Sequence, residues 1–364
     1  MNAKPELNSL VPYVPGKKVA GAIKLASNEN PLGSSPLAME ALRNAEESLS
    51  VYPDGAVAGL TSAIAEFLDV SPSQIVVGNG SDEVMMLTAA AYLRRGDTTI
   101  TAEHTFSQYT FVSRLFGAEV TSAPMTNGTF NLSEIRSRID SSTRAIFICN
   151  PNNPTGTYVG KAALTAFIER VPEDVLVVLD EAYHDFTDAP DFPDGVGLVR
   201  RFPNILVLRT FSKIYGLAGL RVGYGVTSAK IAANLQKVRQ PFNSNSLAQA
   251  AATAALSDRD FVKESVSNNL RGRQSIYDLC EELDLFYYQT QANFVCINVE
   301  YDAEEIYARL VTGGVTVRAL GTFGLPTWIR VTIGTPEQNE VFARALRTAL
   351  SEQGRRAAHD LRTG

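Results

Sequence analysis

Three histidines, three cysteines and one tryptophan are all that the 364 residues contain of those types. Cys149, Cys280 and Cys296 are too few and too scattered for a disulfide framework, and their apolar neighbourhoods suit reduced core residues. His104, His184 and His359 lie far apart without paired-ligand spacing, so no metal site is expected. No apolar run approaches the roughly 20 residues that span a bilayer. The opening Met1 to Glu6 also lacks the apolar centre of a signal peptide, so a cytoplasmic protein with no membrane partner is expected. A basic surplus is missing too: 33 Lys and Arg stand against 39 Asp and Glu, a net charge of −6. That balance argues against a nucleic-acid partner. Repeats and low-complexity tracts are absent as well.

What is present is 45% hydrophobic content over a length that suits two domains. An irregular arm with Pro12, Pro15 and Gly16 reaches to about residue 30. Helical periodicity at 36–49, 57–69, 81–94, 105–117 and 160–171 then alternates with apolar runs at 75–77, 98–101, 119–123, 144–149, 175–180, 205–210 and 221–226. The alternation predicts an α/β domain around a mainly parallel, seven-stranded sheet with helices on both faces. Near-continuous runs such as Ala145 to Cys149 and Ile205 to Leu208 fit strands buried on both sides. Beyond a helix-rich stretch at 228–283, separated strands at 294–299, 315–319 and 328–333 and an amphipathic helix at 336–353 predict a smaller α+β domain. The expected division is 1–30, 31–255 and 256–364, with a charged, frayed tail from Gly354.

In parallel sheets ligands collect at the strands' carboxyl ends, and chemistry-bearing residues cluster at those ends here. Lys213 follows the strand at 205–210 in a loop of small residues, where an amine that condenses with an aldehyde belongs. Asp180 and Tyr183 follow the buried strand Val175 to Leu179. A carboxylate there can keep a pyridine nitrogen protonated and make the ring an electron sink. Glu181 could take the same part, but Asp180 is the first residue past the strand; a helix-capping role stays open for either. His184 suits a structural role. Asn153, in Asn150-Pro151-Asn152-Asn153-Pro154-Thr155-Gly156, could offer its amide to a phenolic oxygen that Tyr183 approaches from the other side.

Gly78-Asn79-Gly80-Ser81-Asp82-Glu83 reads as a strand, a tight turn and a helix start, where open backbone N–H groups suit a phosphate. Capping by Ser81 or Asp82 is an equal reading of that turn alone. Ser212 and Arg221 could complete the same cup. Phe106 could stack on a ring or serve the core. Arg330 interrupts the apolar strand Trp328 to Ile333, which is costly without an anionic partner such as a substrate carboxylate. Arg318 repeats the theme, although alternation would put it outside in a surface ion pair.

Taken together, these segments resemble the fold-type I pyridoxal-phosphate aminotransferases over nearly the whole chain. Leu25 to Pro31, Val51-Tyr52-Pro53-Asp54 and the lysine segment resemble the histidinol-phosphate aminotransferase branch. Within it, Tyr13 to Lys17, Val238 to Gln249 and Gln291 to Val295 are similar to actinobacterial aromatic (phenylalanine) aminotransferases. Gly78 to Glu83 and Thr105 to Tyr109 look instead like histidinol-phosphate enzymes. The resemblance implies pyridoxal 5'-phosphate held at its phosphate by Ser212, Arg221 and the backbone of Ser81, Asp82 and Glu83. It implies a Schiff base on Lys213, Asp180 at the ring nitrogen, and Tyr183 and Asn153 beside the phenolic oxygen. Arg330 would take the substrate carboxylate, Tyr13 and Arg318 would border the side-chain pocket, and Tyr52 would reach the partner subunit's cofactor in a homodimer.

The function expected on these segments is ping-pong amino transfer between aromatic amino acids and 2-oxo acids. Histidinol-phosphate aminotransferase is the alternative. Threonine-phosphate decarboxylase is a more distant one, distinguished by carbon dioxide release.

Overall fold

The computed structural model describes residues 3–10, 12, 19–45 and 49–363, with the backbone alone for Ser9 and 352–363. The apolar runs anticipated from sequence become the strands of a seven-stranded sheet: β1 (Ile75–Gly78), β2 (Thr98–Ala102), β3 (Glu119–Ala123), β4 (Thr143–Cys149), β5 (Leu176–Asp180), β6 (Ile205–Thr210) and β7 (Gly223–Thr227). Their spatial order is β1-β7-β6-β5-β4-β2-β3. β2 to β6 pair in parallel, and β7 runs antiparallel to both its neighbours.

Every residue of β1, β5, β6 and β7 is buried. Helices covering both faces require that, and it explains the absence of alternation in these runs. Removing Val177, Val178 or Leu179 from water stabilises the sheet by about 1.5–3 kcal/mol for each side chain.

A second core lies around β8 (Phe294–Asn298), β9 (Arg318–Ala319) and β10 (Trp328–Thr332), ordered β8-β10-β9 and antiparallel throughout. Helices Arg259–Glu282, Ala303–Thr312 and Pro336–Thr363 supply apolar faces to it. The incoming chain joins this unit. Ile23–Lys24 pairs in parallel with Val315–Thr316, and Leu25 is part of the second core.

Two expectations change. The run 315–319 is two short strands, because Val315–Thr316 pairs with the incoming chain while Arg318–Ala319 pairs with β10, with buried Val317 at the crossing. The tail is helical rather than frayed: the backbone helix begun at Pro336 continues to Thr363. Good helix formers dominate the stretch after Gly354, and no proline interrupts it. Among the described residues no helix is long and apolar enough to cross a membrane.

Candidate active site

At the end of β1 the chain turns through Gly80 (φ 75°) directly into helix Ser81–Tyr92, and no side chain caps that helix start. Its first N–H groups therefore stay open toward the cavity, at the positive end of the helix. The Glu83 side chain turns the other way. Its Oε2 accepts from Asn79 N at 2.7 Å and Asn243 Nδ2 at 2.6 Å, holding the turn from behind. Arg221, itself in the left-handed region (φ 54°), donates to Ser212 Oγ at 3.3 Å and Asp82 Oδ2 at 3.4 Å. A Cβ at position 80 would lie 2.6 Å from Arg221 Nη2, so glycine is what lets this guanidinium approach the turn.

β5 and β6 deliver the next groups. Asp180 is 3% exposed and accepts from Tyr109 Oη at 2.7 Å and Ala182 N at 3.1 Å. Burial outweighs those hydrogen bonds and pushes its carboxyl up to about 6. Glu181 points away from Asp180's position and accepts from Arg209 Nε and Nη2 at 3.1 and 2.9 Å. Only Asp180 of the two lines the cavity.

Lys213 Nζ donates to Ser27 O at 3.1 Å and lies 5.8 Å from the centroid of the Tyr183 ring. Burial, and secondly the nearby Arg330 charge, lower its ammonium to about 8. Tyr183 stands edge-on to Phe294, its phenol accepts from Asn28 Nδ2 at 2.9 Å, and burial raises its ionisation above the usual range.

Arg330 is 6% exposed and sits 5.3 Å from the Phe294 ring centroid. It donates to Asn153 Oδ1 and, at 3.0 Å, to Ala26 O. Arg318 is its register partner across β9 and β10 and also lines the cavity. The outward position expected from alternation does not apply, because the pattern is broken where the chain changes sheets. Phe106, half-buried and edge-on to Tyr109 at 5.7 Å, forms another wall. The cavity volume is about 790 Å³, large enough for a cofactor and a small substrate together.

Ser81, Asp82, Phe106, Asn153, Asp180, Tyr183, Ser212, Lys213, Arg221, Arg318 and Arg330 thus surround one cavity. Two further residues were expected to act through their side chains, Tyr52 at the partner subunit's site and Tyr13 at the side-chain pocket. Tyr52 is 81% exposed and stacks on Phe242 at 4.7 Å, and Tyr13 lies outside the described residues. Two buried groups were missed. Tyr109, on Asp180, belongs to a quoted segment but has no charge or periodicity to mark it. Asn28, on Tyr183, carries the one available signal: a residue type tolerant of φ > 0 inside Leu25 to Pro31.

The family described as aminotransferase class I and II matches residues 20–346. The chain belongs to that family. Aminotransferases of this class use pyridoxal 5'-phosphate to move amino groups between small amino and oxo acids, and this chain is such an enzyme. Curated relatives cover nearly all of it. A histidinol-phosphate aminotransferase of Geobacillus sp. (strain WCH70) is 44% identical over 97% of this chain and 99% of its own. Another, of Moorella thermoacetica, is 46% identical over 94% of this chain and 92% of its own. The crystal structure of histidinol-phosphate aminotransferase from Sinorhizobium meliloti, in complex with pyridoxal-5'-phosphate, superimposes with a TM-score of 0.90. It is 27% identical and covers 96% of this aminotransferase and 98% of its own chain.

These relatives overturn the aromatic assignment. The geometry supplies the reason. Two of the segments similar to aromatic enzymes, 238–249 and 291–295, serve as scaffold, while Tyr13 to Lys17 lies outside the described residues: Arg239 Nη2 donates to Gly55 O at 2.9 Å, Gln249 Nε2 to Ser244 O at 2.9 Å and Asn293 Nδ2 to Asn28 O at 3.0 Å. None of 238–249 or 291–295 lines the cavity, whereas Ser81, Asp82 and Thr105 to Gln108, from the segments that looked like histidinol-phosphate enzymes, do.

Proposed function

We propose that this aminotransferase takes histidinol phosphate as amino donor and 2-oxoglutarate as acceptor, in a ping-pong sequence, as a cytoplasmic homodimer. The observation that carries the substrate is the near-complete coverage by curated histidinol-phosphate aminotransferases. Two guanidinium groups on adjacent strands of one cavity wall, Arg330 and Arg318, add physical support. A phosphate dianion gains charge-assisted hydrogen bonds from such a pair, and an uncharged aromatic ring gains none.

Three features of the cavity support pyridoxal phosphate in the expected orientation. The uncapped helix start at Ser81, Asp82 and Glu83, with Ser212 and Arg221, offers donors to a phosphate. Asp180 is a buried acid raised to about 6 that a protonated ring nitrogen would ionise. Lys213 has an amine lowered to about 8, so a fair fraction of it is neutral around physiological pH. When bound, the cofactor supplies the electron sink that acidifies the substrate's α-carbon.

The residues do the rest. Lys213 Nζ takes the proton from the donor's α-carbon in one half-reaction and delivers one to the acceptor's α-carbon in the other. Asp180 fixes the protonation of the ring nitrogen, Tyr183 and Asn153 flank the phenolic oxygen, and Phe106 bounds the ring face. Arg330 receives glutamate's α-carboxylate, and Arg318 with Tyr13 borders the pocket for the rest of the substrate. Tyr52 extends toward the partner subunit's cofactor phosphate. The exposed apolar group Leu49, Val51, Tyr52 and Phe242 supports a dimer contact on that face.

Steady-state kinetics test the substrate. With 2-oxoglutarate as acceptor, kcat/KM for histidinol phosphate should exceed that for phenylalanine or tyrosine by about 100-fold or more, the order that charged-group recognition provides. Equal or reversed preference refutes the assignment. Light scattering that returned a monomer would refute the dimer.

A further inference from the structure

Ala26, Ser27 and Asn28 are consecutive, and each touches a different group assigned above to the reaction. Ala26 O accepts from Arg330 Nη2 at 3.0 Å, Ser27 O accepts from Lys213 Nζ at 3.1 Å, and Asn28 Nδ2 donates to Tyr183 Oη at 2.9 Å. The segment is fastened to the smaller domain on its other side. Thr332 N donates to Leu25 O at 2.8 Å, Asn28 N to Thr332 Oγ1 at 2.9 Å, and Asn293 Nδ2 to Asn28 O at 3.0 Å.

Asn28 is 1% exposed and sits at φ 56°, a conformation that asparagine adopts more readily than most side chains. Its Oδ1 receives the Thr332 hydroxyl hydrogen at 3.3 Å, which leaves its amide nitrogen facing the phenol. The Tyr183 oxygen therefore accepts from Asn28, and the phenol's own hydrogen is available to the cavity that Lys213 shares.

We propose that Asn28 is a positioning residue that sets the direction of the Tyr183 hydrogen bond. By donating to the phenol oxygen it directs the phenol to donate inward, and the amide-to-phenol chain strengthens that second donation. This rests on the reading that Tyr183 faces the cofactor's phenolic oxygen. Donation to that oxygen favours its anionic form and so lowers the pH midpoint at which the bound cofactor's visible absorbance titrates.

The experiment titrates that absorbance in cofactor-loaded enzyme for the parent, Asn28→Gly, Asn28→Asp, Tyr183→Phe and the double variant Asn28→Gly/Tyr183→Phe. Tyr183→Phe should raise the midpoint by about one pH unit or more, the size expected for a lost hydrogen bond to the charged form. Asn28→Gly should raise it by part of that amount, and should add nothing in the Tyr183→Phe background. Asn28→Asp, whose carboxylate can only accept and so turns the phenol away, should shift it further than Asn28→Gly.

A merely structural role would move the midpoint equally in both backgrounds, and that result, or no shift with Asn28→Gly, overturns the proposal. If Tyr183→Phe itself leaves the midpoint in place, the reading of Tyr183 falls and the proposal with it. A shift with Tyr183→Phe but with neither Asn28 variant removes Asn28 alone. Should Asn28→Asp fail to fold, Asn28→Gly still decides, because glycine accepts the positive φ without strain.

Discussion

Replacing Asp180 by asparagine should stabilise the cofactor-free protein while abolishing its catalysis. The carboxyl is buried and titrates near 6 in the fold against 3.8 in an exposed chain. The folded state therefore binds this proton more tightly than the unfolded state does, so the contribution to stability is present below about pH 4 and lost as pH rises through about 6. At about 1.4 kcal/mol per pH unit, the difference of about two amounts to roughly 3 kcal/mol above about pH 7. The Asp180→Asn change is isosteric and removes the charge. It keeps an acceptor for Ala182 N, and the new amide can donate to Tyr109 Oη in reversal of the present bond.

Urea unfolding of both cofactor-free proteins at several pH values measures the difference. Asp180→Asn should be more stable by about 3 kcal/mol at about pH 8, with the gap closing below about pH 4. The advantage should vanish on adding pyridoxal phosphate, whose ring nitrogen the carboxylate would then partner. A variant no more stable than the parent in mildly alkaline buffer, or a gap that does not depend on pH, refutes the reasoning.

Three further outcomes are expected. Lys213→Ala should still bind the cofactor, but borohydride should no longer fix it to the protein, and turnover should fall by about 10²–10⁴-fold or more, as measured by keto-acid release. In the cofactor-free parent, stopped-flow capture of pyridoxal phosphate should accelerate as pH rises through about 8, the lowered Lys213 value, because the neutral amine is the nucleophile; a midpoint near 10.5 would contradict the burial argument. Arg318→Ala should raise KM for histidinol phosphate by about 10-fold or more while changing KM for glutamate less, as expected if one charge-assisted contact to the phosphate is lost.

The strand ends made much of this arrangement legible. Apolar runs marked the seven strands, and the first polar residues after those runs, Asp180 at the end of β5 and Ser212-Lys213 beyond β6, mark the rim where the cavity forms. Local pattern also separated the two carboxylates, since Asp180 lies inside and Glu181 pairs with Arg209. Tyr109 was not legible as Asp180's partner because the contact joins residues 71 apart through the packing of helix Gln108–Leu115 over the sheet. Arg318 lines the cavity, and alternation, which would put it outside, fails here because it assumes one unbroken strand. The substrate was misjudged because similarity in flanking segments was weighed above similarity in the loops that line the cavity.

One reversal of chain direction decides how the rim is populated. Parallel strands can bring only their trailing residues to it, whereas β7, running the opposite way between β1 and β6, brings the residues that precede it. Arg221 arrives by that route, just ahead of Gly223. The inserted strand also holds β1 and β6 about 10 Å apart, the width of two inter-strand spacings, so the turn after β1 and the lysine loop after β6 stand as opposite banks with the guanidinium rising between them. Gly223 keeps that channel open at its base, since a Cβ there would collide with the backbone nitrogen of Ser81.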